Sequence, residues 1–240
     1  MMAAAAATTQ TAEPAPERPE QKRLQPGREH VTLVHGFLAN TLMLSLLGSR
    51  LRGHGYHTRA WGYRNMRCSI LVHARKFTDT LRELDADPSI DSIHLVTHSM
   101  GGIIARAALD SFRPRKIGRF VMLAPPNRGS FVATAMARPL GWLFQPIVEL
   151  STAGDSLVNS LAMPRGLEIG VIAAEWDALV EEASTHPDAP HAHATIPCLH
   201  SGLLFRRETA TLVAAFLEHG RFPKTAGPPG TESNRAGADA

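Results

Sequence analysis

A mostly parallel β-sheet covered on both faces by helices, the α/β class, is the fold this sequence predicts. Three observations lead there. Short β-branched apolar runs alternate with longer stretches of helical periodicity through residues 29–223. Two of those runs, Val31-Thr32-Leu33-Val34 and Leu95-Val96-Thr97, pass through a His and a small residue straight into helical sequence, as a βα unit does. No internal repeat points to a solenoid or a propeller instead.

The elements follow in order. Residues 1–28, rich in Ala, Thr, Pro, Glu and Gln, read as a disordered tail. Their Ala3–Ala7 run is too short and too weakly apolar for a signal peptide, and no basic segment precedes it. Strands are expected at 31–34, 56–61, 92–97, 119–123 and 168–173, and helices at 40–51, 70–84, 100–111 and 208–219. The helix from Ile70 sets Val72, Phe77, Leu81 and Leu84 among Lys, Arg and Asp, which makes an amphipathic face. Residues 131–164 break the pattern, because Pro139, Gly141 and Pro146 interrupt the apolar Trp142-Leu143-Phe144 and Ile147-Val148. Short helices forming a small cap and residues that simply finish the core are both open for this region. Residues 224–240 form a second polar Pro/Gly tail.

Bulk properties narrow the function classes. A 240-residue chain with 44% hydrophobic and 20% charged residues suits one soluble domain whose core needs no staples. Cys68 and Cys198 lie far apart and outside any ligand motif, so no disulfide framework is implied, and free thiols fit a cytoplasmic setting. The net charge is +3, but no Lys/Arg cluster is long enough for a nucleic-acid footprint. Arg113-Pro114-Arg115-Lys116 reads as a solvated loop between a helix and a strand. No apolar run approaches the roughly 18–20 residues of a membrane span. The oligomeric state is not fixed by the sequence.

The chemistry centres on Ser99. An apolar strand, a serine and an immediate helix are the layout of a nucleophile elbow, a strained turn that holds a serine oxygen clear of its own backbone. Thr97 stands where this motif usually has its first glycine, a position that needs small size and no reactive group. A plain helix N-cap is the other reading of Ser99. As an elbow serine it would leave the Met100 N–H aimed at developing negative charge. The His35-Gly36 turn at the end of the first strand would supply a second donor, the Phe37 N–H, while His35 orients the loop.

A serine nucleophile needs a base and an orienting acid, which follow it in the chain order Ser, Asp or Glu, His. Asp177 sits just past the strand ending near Ala173 and is preferred over Glu175 and Asp188; Asp155 reads as a helix N-terminal residue. His200, which precedes the last helix after an apolar approach, is preferred as base over His186, His191 and His193. Those three histidines suggest a metal site, but neither a carboxylate–histidine helix motif nor a Cys partner completes it, so metal and cofactor are expected to be none.

With these residues assembled, the chain resembles the α/β-hydrolase superfamily. Within it, the chain is similar to small bacterial lipase/esterase-like proteins related to the deacylase that trims lipid anchors and to triacylglycerol lipases. The resemblance rests on Val31–Leu38, Thr97–Arg106, Val121–Ser130 with its Pro125-Pro126-Asn127-Arg128-Gly129-Ser130, residues 168–174 and 216–222. Asp177-Ala178-Leu179-Val180 and Pro197-Cys198-Leu199-His200 follow the pattern Asp-Gly-x-Val and Pro-x-x-His, with Ala178 in place of Gly. The resemblance implies Ser99, Asp177 and His200 as a triad and carboxylic-ester hydrolysis, on a small-molecule or lipid ester, as the activity. Acyl transfer or thioester hydrolysis on the same residues, and a non-catalytic binding module, are the alternatives.

Overall fold

The structure is a computed structural model that describes residues 28–63 and 67–223. The expected terminal tails, apart from Arg28, lie outside the described residues. The core is one six-stranded sheet in the order β2-β1-β3-β4-β5-β6. Its strands are β1 (Glu29–Val34), β2 (His57–Trp61), β3 (Ser92–His98), β4 (Ile117–Leu123), β5 (Ile169–Ala174) and β6 (Ala192–Ile196). Every neighbouring pair is parallel. The α/β expectation therefore holds, and five of the strands fall within two residues of where the sequence placed them.

Strand β6 is the exception. Its Ala192-His193-Ala194-Thr195 has little apolar content and is not among the strands read from the sequence, yet it pairs with β5 from Gly170↔Ala192 to Ala174↔Ile196. It is an edge strand, only partly buried until Ile196, so its side chains carry little hydrophobic signal.

Helices α1 (Ser45–Gly53) and α8 (Arg207–His219) pack together on one face, and α2 (Ile70–Ala86) and α3 (Met100–Ser111) on the other. Helix α2 buries Phe77, Leu81 and Leu84, as its amphipathic face requires, and Ser69 caps it by accepting from the Leu71 N–H. Burial of each such side chain contributes about 1.5–3 kcal/mol. The expected helix over 40–51 begins instead as a 3₁₀ turn at Thr41–Leu44. Helix α8 ends on Gly220, whose φ of 68° is the left-handed cap conformation glycine favours.

Residues 131–164 fold into α4 (Phe131–Leu140), α5 (Gln145–Glu149) and α6 (Leu157–Ser160). Helix α4 buries none of its residues, whereas Ile147, Leu150 and Val158 belong to the core. Two buried polar contacts fasten the segment down. The Glu149 carboxylate accepts from Ser69 Oγ at 2.5 Å and from the Ile70 N–H at 2.7 Å, at the start of α2. The Arg106 guanidinium, on α3, donates to the Val158 and Leu161 carbonyls around α6. A short helix α7 (Glu182–Thr185), which the sequence did not suggest, connects β5 to β6.

Candidate active site

The strand order reverses between β1 and β3, since β2 lies on one side of β1 and the later strands all lie beyond β3. Ligands of open α/β sheets bind at the carboxyl ends of the strands at such a point. The register Val34↔Thr97 brings His35-Gly36 alongside His98-Ser99 there. A Cβ on Gly36 would stand 2.9 Å from Ser99 Cβ, so only glycine allows this approach.

Ser99 sits at φ 53°, ψ −127°, the start of α3. A non-glycine residue in that region is strained and is held there by its surroundings. Its side chain makes no capping bond, which removes the plain N-cap reading. The turn closes through Ser99 N–H to the Leu123 carbonyl at 2.8 Å and Gly102 N–H to the Ser99 carbonyl at 2.9 Å. Gly101 lets α3 run against β1, because a Cβ there would lie 2.7 Å from both the Val34 and His35 carbonyl oxygens. Thr97 fits where glycine is usual because the residue it faces is itself a glycine: a Cβ on Gly102 would lie 3.3 Å from Thr97 Oγ1.

The His35-Gly36-Phe37 loop is built as a buried hydrogen-bonded unit. His35 Nδ1–H donates to the Gly36 carbonyl at 2.8 Å, and His35 Nε2 accepts from the Tyr63 N–H at 3.3 Å. Tyr63 stacks on the ring at 4.3 Å and donates its hydroxyl to the His35 carbonyl. Burial lowers the imidazole pKa from its ordinary value, so His35 is a neutral support of the loop. Among the described residues neither the Phe37 nor the Met100 N–H donates to a protein acceptor.

Asp177 follows β5, and His200 opens a 3₁₀ turn after β6. The two side chains meet at 2.6 Å, Asp177 Oδ2 to His200 Nδ1, and both are almost fully buried. The other oxygen, Oδ1, accepts from the Leu179 N–H at 2.8 Å and the Val180 N–H at 3.0 Å. Ala178 needs no left-handed backbone, since the carboxylate itself organises the turn. Burial pushes the Asp177 carboxyl up, but the His200 hydrogen bond and charge, with the two N–H donors, outweigh it and hold the group below its ordinary value.

Ser99 and His200 line one cavity of about 460 Å³. No hydrogen bond joins Ser99 Oγ to His200, a contact that commonly tightens only around substrate. The walls are apolar: Phe37 and Met43 from the β1 side, Met136 and Leu140 from α4, and Ile147 and Leu150 from the α5 region. Phe37 meets Phe144 edge-on at 5.7 Å, which joins the β1 loop to the 131–164 segment.

Two further residues support the site without having stood out in the sequence. His98 Nε2–H donates to the His200 carbonyl at 3.2 Å, and the two rings lie 4.8 Å apart. Burial first, then the charge of His200, pushes the His98 pKa down to about 3, so its ring is neutral. Ser130 caps α4 and donates to the Leu179 carbonyl at 2.6 Å, tying the Pro-Pro-Asn-x-Gly-Ser loop to the Asp177 turn. Position next to Ser99 was the available signal for His98; for Ser130, only the fold places the contact. The rivals fall elsewhere: Glu175 is exposed, and His186, His191 and His193 cluster together around α7 and β6.

The structure thus brings a strained serine at a strand–helix turn, a buried Asp–His pair and two unengaged N–H groups to one sheet edge. Residues 33–228 match the model of the Alpha/beta hydrolase family. The chain belongs to that family. A Mycoplasma pneumoniae protein named as an esterase/lipase is 24% identical over 111 residues, 44% of this chain and 39% of that protein. The matched region is thus about two fifths of that relative's length. Among solved structures, the mature Bacillus licheniformis lipase BlEst2 superposes with a TM-score of 0.64 at 14% identity, over 82% of this chain and 94% of that one. Aspergillus fumigatus lipase B gives 0.66 at 15% identity over 83% and 54%. The metagenomic carboxyl esterase MGS0156 gives 0.60 at 16% over 78% and 69%. At such identities the likeness is one of fold.

Proposed function

We propose that this protein is a carboxylic ester hydrolase that works through an acyl-enzyme on Ser99. The observation that carries the proposal is the 2.6 Å Asp177–His200 bond at the wall of the cavity that also holds the strained Ser99. Asp177 fixes the proton of His200 on Nδ1 and leaves Nε2 as the base. His200 takes the Ser99 hydroxyl proton as Oγ attacks the ester carbonyl. The oxyanion that forms is stabilised by the Phe37 and Met100 N–H groups, each worth about 10²–10³ in rate. Collapse expels the alcohol, which leaves with the proton held by His200. Water, deprotonated by His200, then attacks the acyl-enzyme, and the acid departs as Ser99 recovers its proton.

The unit is residues 29–223, with 131–164 as a small cap whose α4 roofs the acyl pocket. Apolar walls and a cavity of about 460 Å³ support short- to medium-chain acyl esters, from a small molecule or a lipid. Among the described residues no helix is long and apolar enough to cross a membrane, and free Cys68 and Cys198 fit a cytoplasmic setting.

A fluorophosphonate probe tests the nucleophile. The wild-type chain is expected to label and Ser99→Ala not to; equal labelling, or none in either, refutes the assignment. With p-nitrophenyl esters, Ser99→Ala should lose about 10⁶ in kcat. A chain-length series should peak at short to medium acyl groups, and an optimum at long chains overturns that part.

A further inference from the structure

The three histidines around α7 and β6 acquire in the fold the carboxylate they lacked in the sequence. Glu182, His186 and His193 each present a ligand-capable atom, and those atoms all lie within 4.8 Å of one another. Glu182 and His186 stand four residues apart across α7, and His193 comes from the facing strand β6.

The hydrogen bonds around the cluster settle which ring nitrogens carry protons. The Ala189 carbonyl can only accept, so the 2.8 Å contact places a proton on His191 Nδ1. With one proton on each ring, His191 Nε2 accepts from His186 Nδ1–H at 3.0 Å. That leaves the lone pair of His186 on Nε2. On the other side, the Thr185 hydroxyl spends its one proton on the Glu182 carbonyl, at 2.6 Å. Its oxygen therefore accepts from His193 Nε2–H at 3.2 Å, which leaves the lone pair of His193 on Nδ1. The Glu182 carboxylate is itself oriented by Thr195 Oγ1, which donates to Oε1.

Each of the three side chains thus has one polar atom held by a partner and a lone pair left over on the other. Metal-binding histidines share this feature: their second nitrogen donates to a carbonyl, hydroxyl or similar acceptor. We propose that Glu182, His186 and His193 form a zinc site that fastens α7 to β6, with solvent completing the coordination. Two imidazoles and a carboxylate suit Zn²⁺, which takes nitrogen at about 2.0–2.1 Å, and are a poor match to the all-oxygen preference of Ca²⁺ or Mg²⁺. The His186 and His193 rings are stacked 4.1 Å apart at 15°, so closing on an ion requires them to tip about χ2, a soft torsion. The ion would join the chain that leaves the Asp177 turn to the strand that delivers His200. The same segment is already anchored by Asn127 Nδ2 to the Thr185 carbonyl and Arg128 N–H to the Ser184 carbonyl.

The test is calorimetric titration of ZnCl₂ into the tag-free full chain after dialysis against chelator, with melting temperature as second readout. One saturable Zn²⁺ per chain and a raised Tm are expected, with no Tm change from MgCl₂ or CaCl₂. Glu182→Gln and His186→Ala, both at sites not buried in the core, should fold as judged by circular dichroism and lose the saturable binding. His191→Phe keeps all three ligands but removes the acceptor for His186 Nδ1–H, and should weaken binding about 10–100-fold. No saturable binding by the wild type overturns the proposal, and so does wild-type affinity in both Glu182→Gln and His186→Ala. Because binding is measured and not turnover, failure here leaves the hydrolase proposal standing.

Discussion

Replacing Asp177 by Asn isolates what the buried carboxylate contributes. The variant is nearly isosteric, and the surroundings dictate how the amide must point. The Leu179 and Val180 N–H groups both face Oδ1, at 2.8 and 3.0 Å, so the amide oxygen has to remain there. The amide nitrogen then occupies the Oδ2 position, 2.6 Å from His200 Nδ1 in the wild type. Two N–H groups cannot share that line, so His200 must move its proton to Nε2 and accept at Nδ1. In the proposed mechanism Nε2 takes the Ser99 proton, and in the variant it is already protonated. Loss of the base in this manner costs about 10⁴ in kcat, equivalent to about 5.4 kcal/mol of transition-state stabilisation. The assay is turnover of a short p-nitrophenyl ester, with fluorophosphonate labelling rate as a second readout. Circular dichroism should be unchanged, because the turn keeps its two acceptor contacts. A variant within tenfold of wild type would refute the assigned roles of both Asp177 and His200.

Three other outcomes follow from the geometry. Gly101→Ala places a Cβ 2.7 Å from two backbone carbonyl oxygens, so it should destabilise the fold by about 1–3 kcal/mol or more in urea unfolding and lower activity by moving the Ser99 turn. Glu149→Ala leaves Ser69 Oγ and the Ile70 N–H without their acceptor, and should cost about 1–3 kcal/mol in the same assay. His98 has a folded-state pKa lowered from 6.5 to about 3, so between those values the unfolded chain binds the extra proton and stability falls as pH drops. His98→Gln should flatten that part of the stability–pH curve, measured by urea melts from pH 7 down to 4; an unchanged slope refutes the assignment.

Much of this protein was legible in its sequence because the relevant physics is local. Alternation of β-branched runs with 3.6-residue periodicity needs no knowledge of partners, and it located five of the six strands and helices α1, α2, α3 and α8. Ser99 could be picked out because a strand, a serine and a glycine-rich helix start are adjacent in the chain. What lay beyond the sequence depends on contacts between distant segments. Strand β6 exists through pairing with β5, since Ala192-His193-Ala194 has almost no strand signal of its own. Thr97 is tolerated because Gly102 faces it, and Gly36 is required because β1 and β3 end side by side. The proton positions on His186, His191 and His193 follow from the acceptors the folded chain places around them, and Glu182 joins them only once α7 lies against β6. The sequence determined the layers and the reactive residue types, because backbone periodicity and side-chain chemistry are carried by short segments. Tertiary structure alone decided the alignment of Asp177 with His200 and the shape of the apolar cavity, because hydrogen bonding and close packing act across residues that the chain keeps far apart.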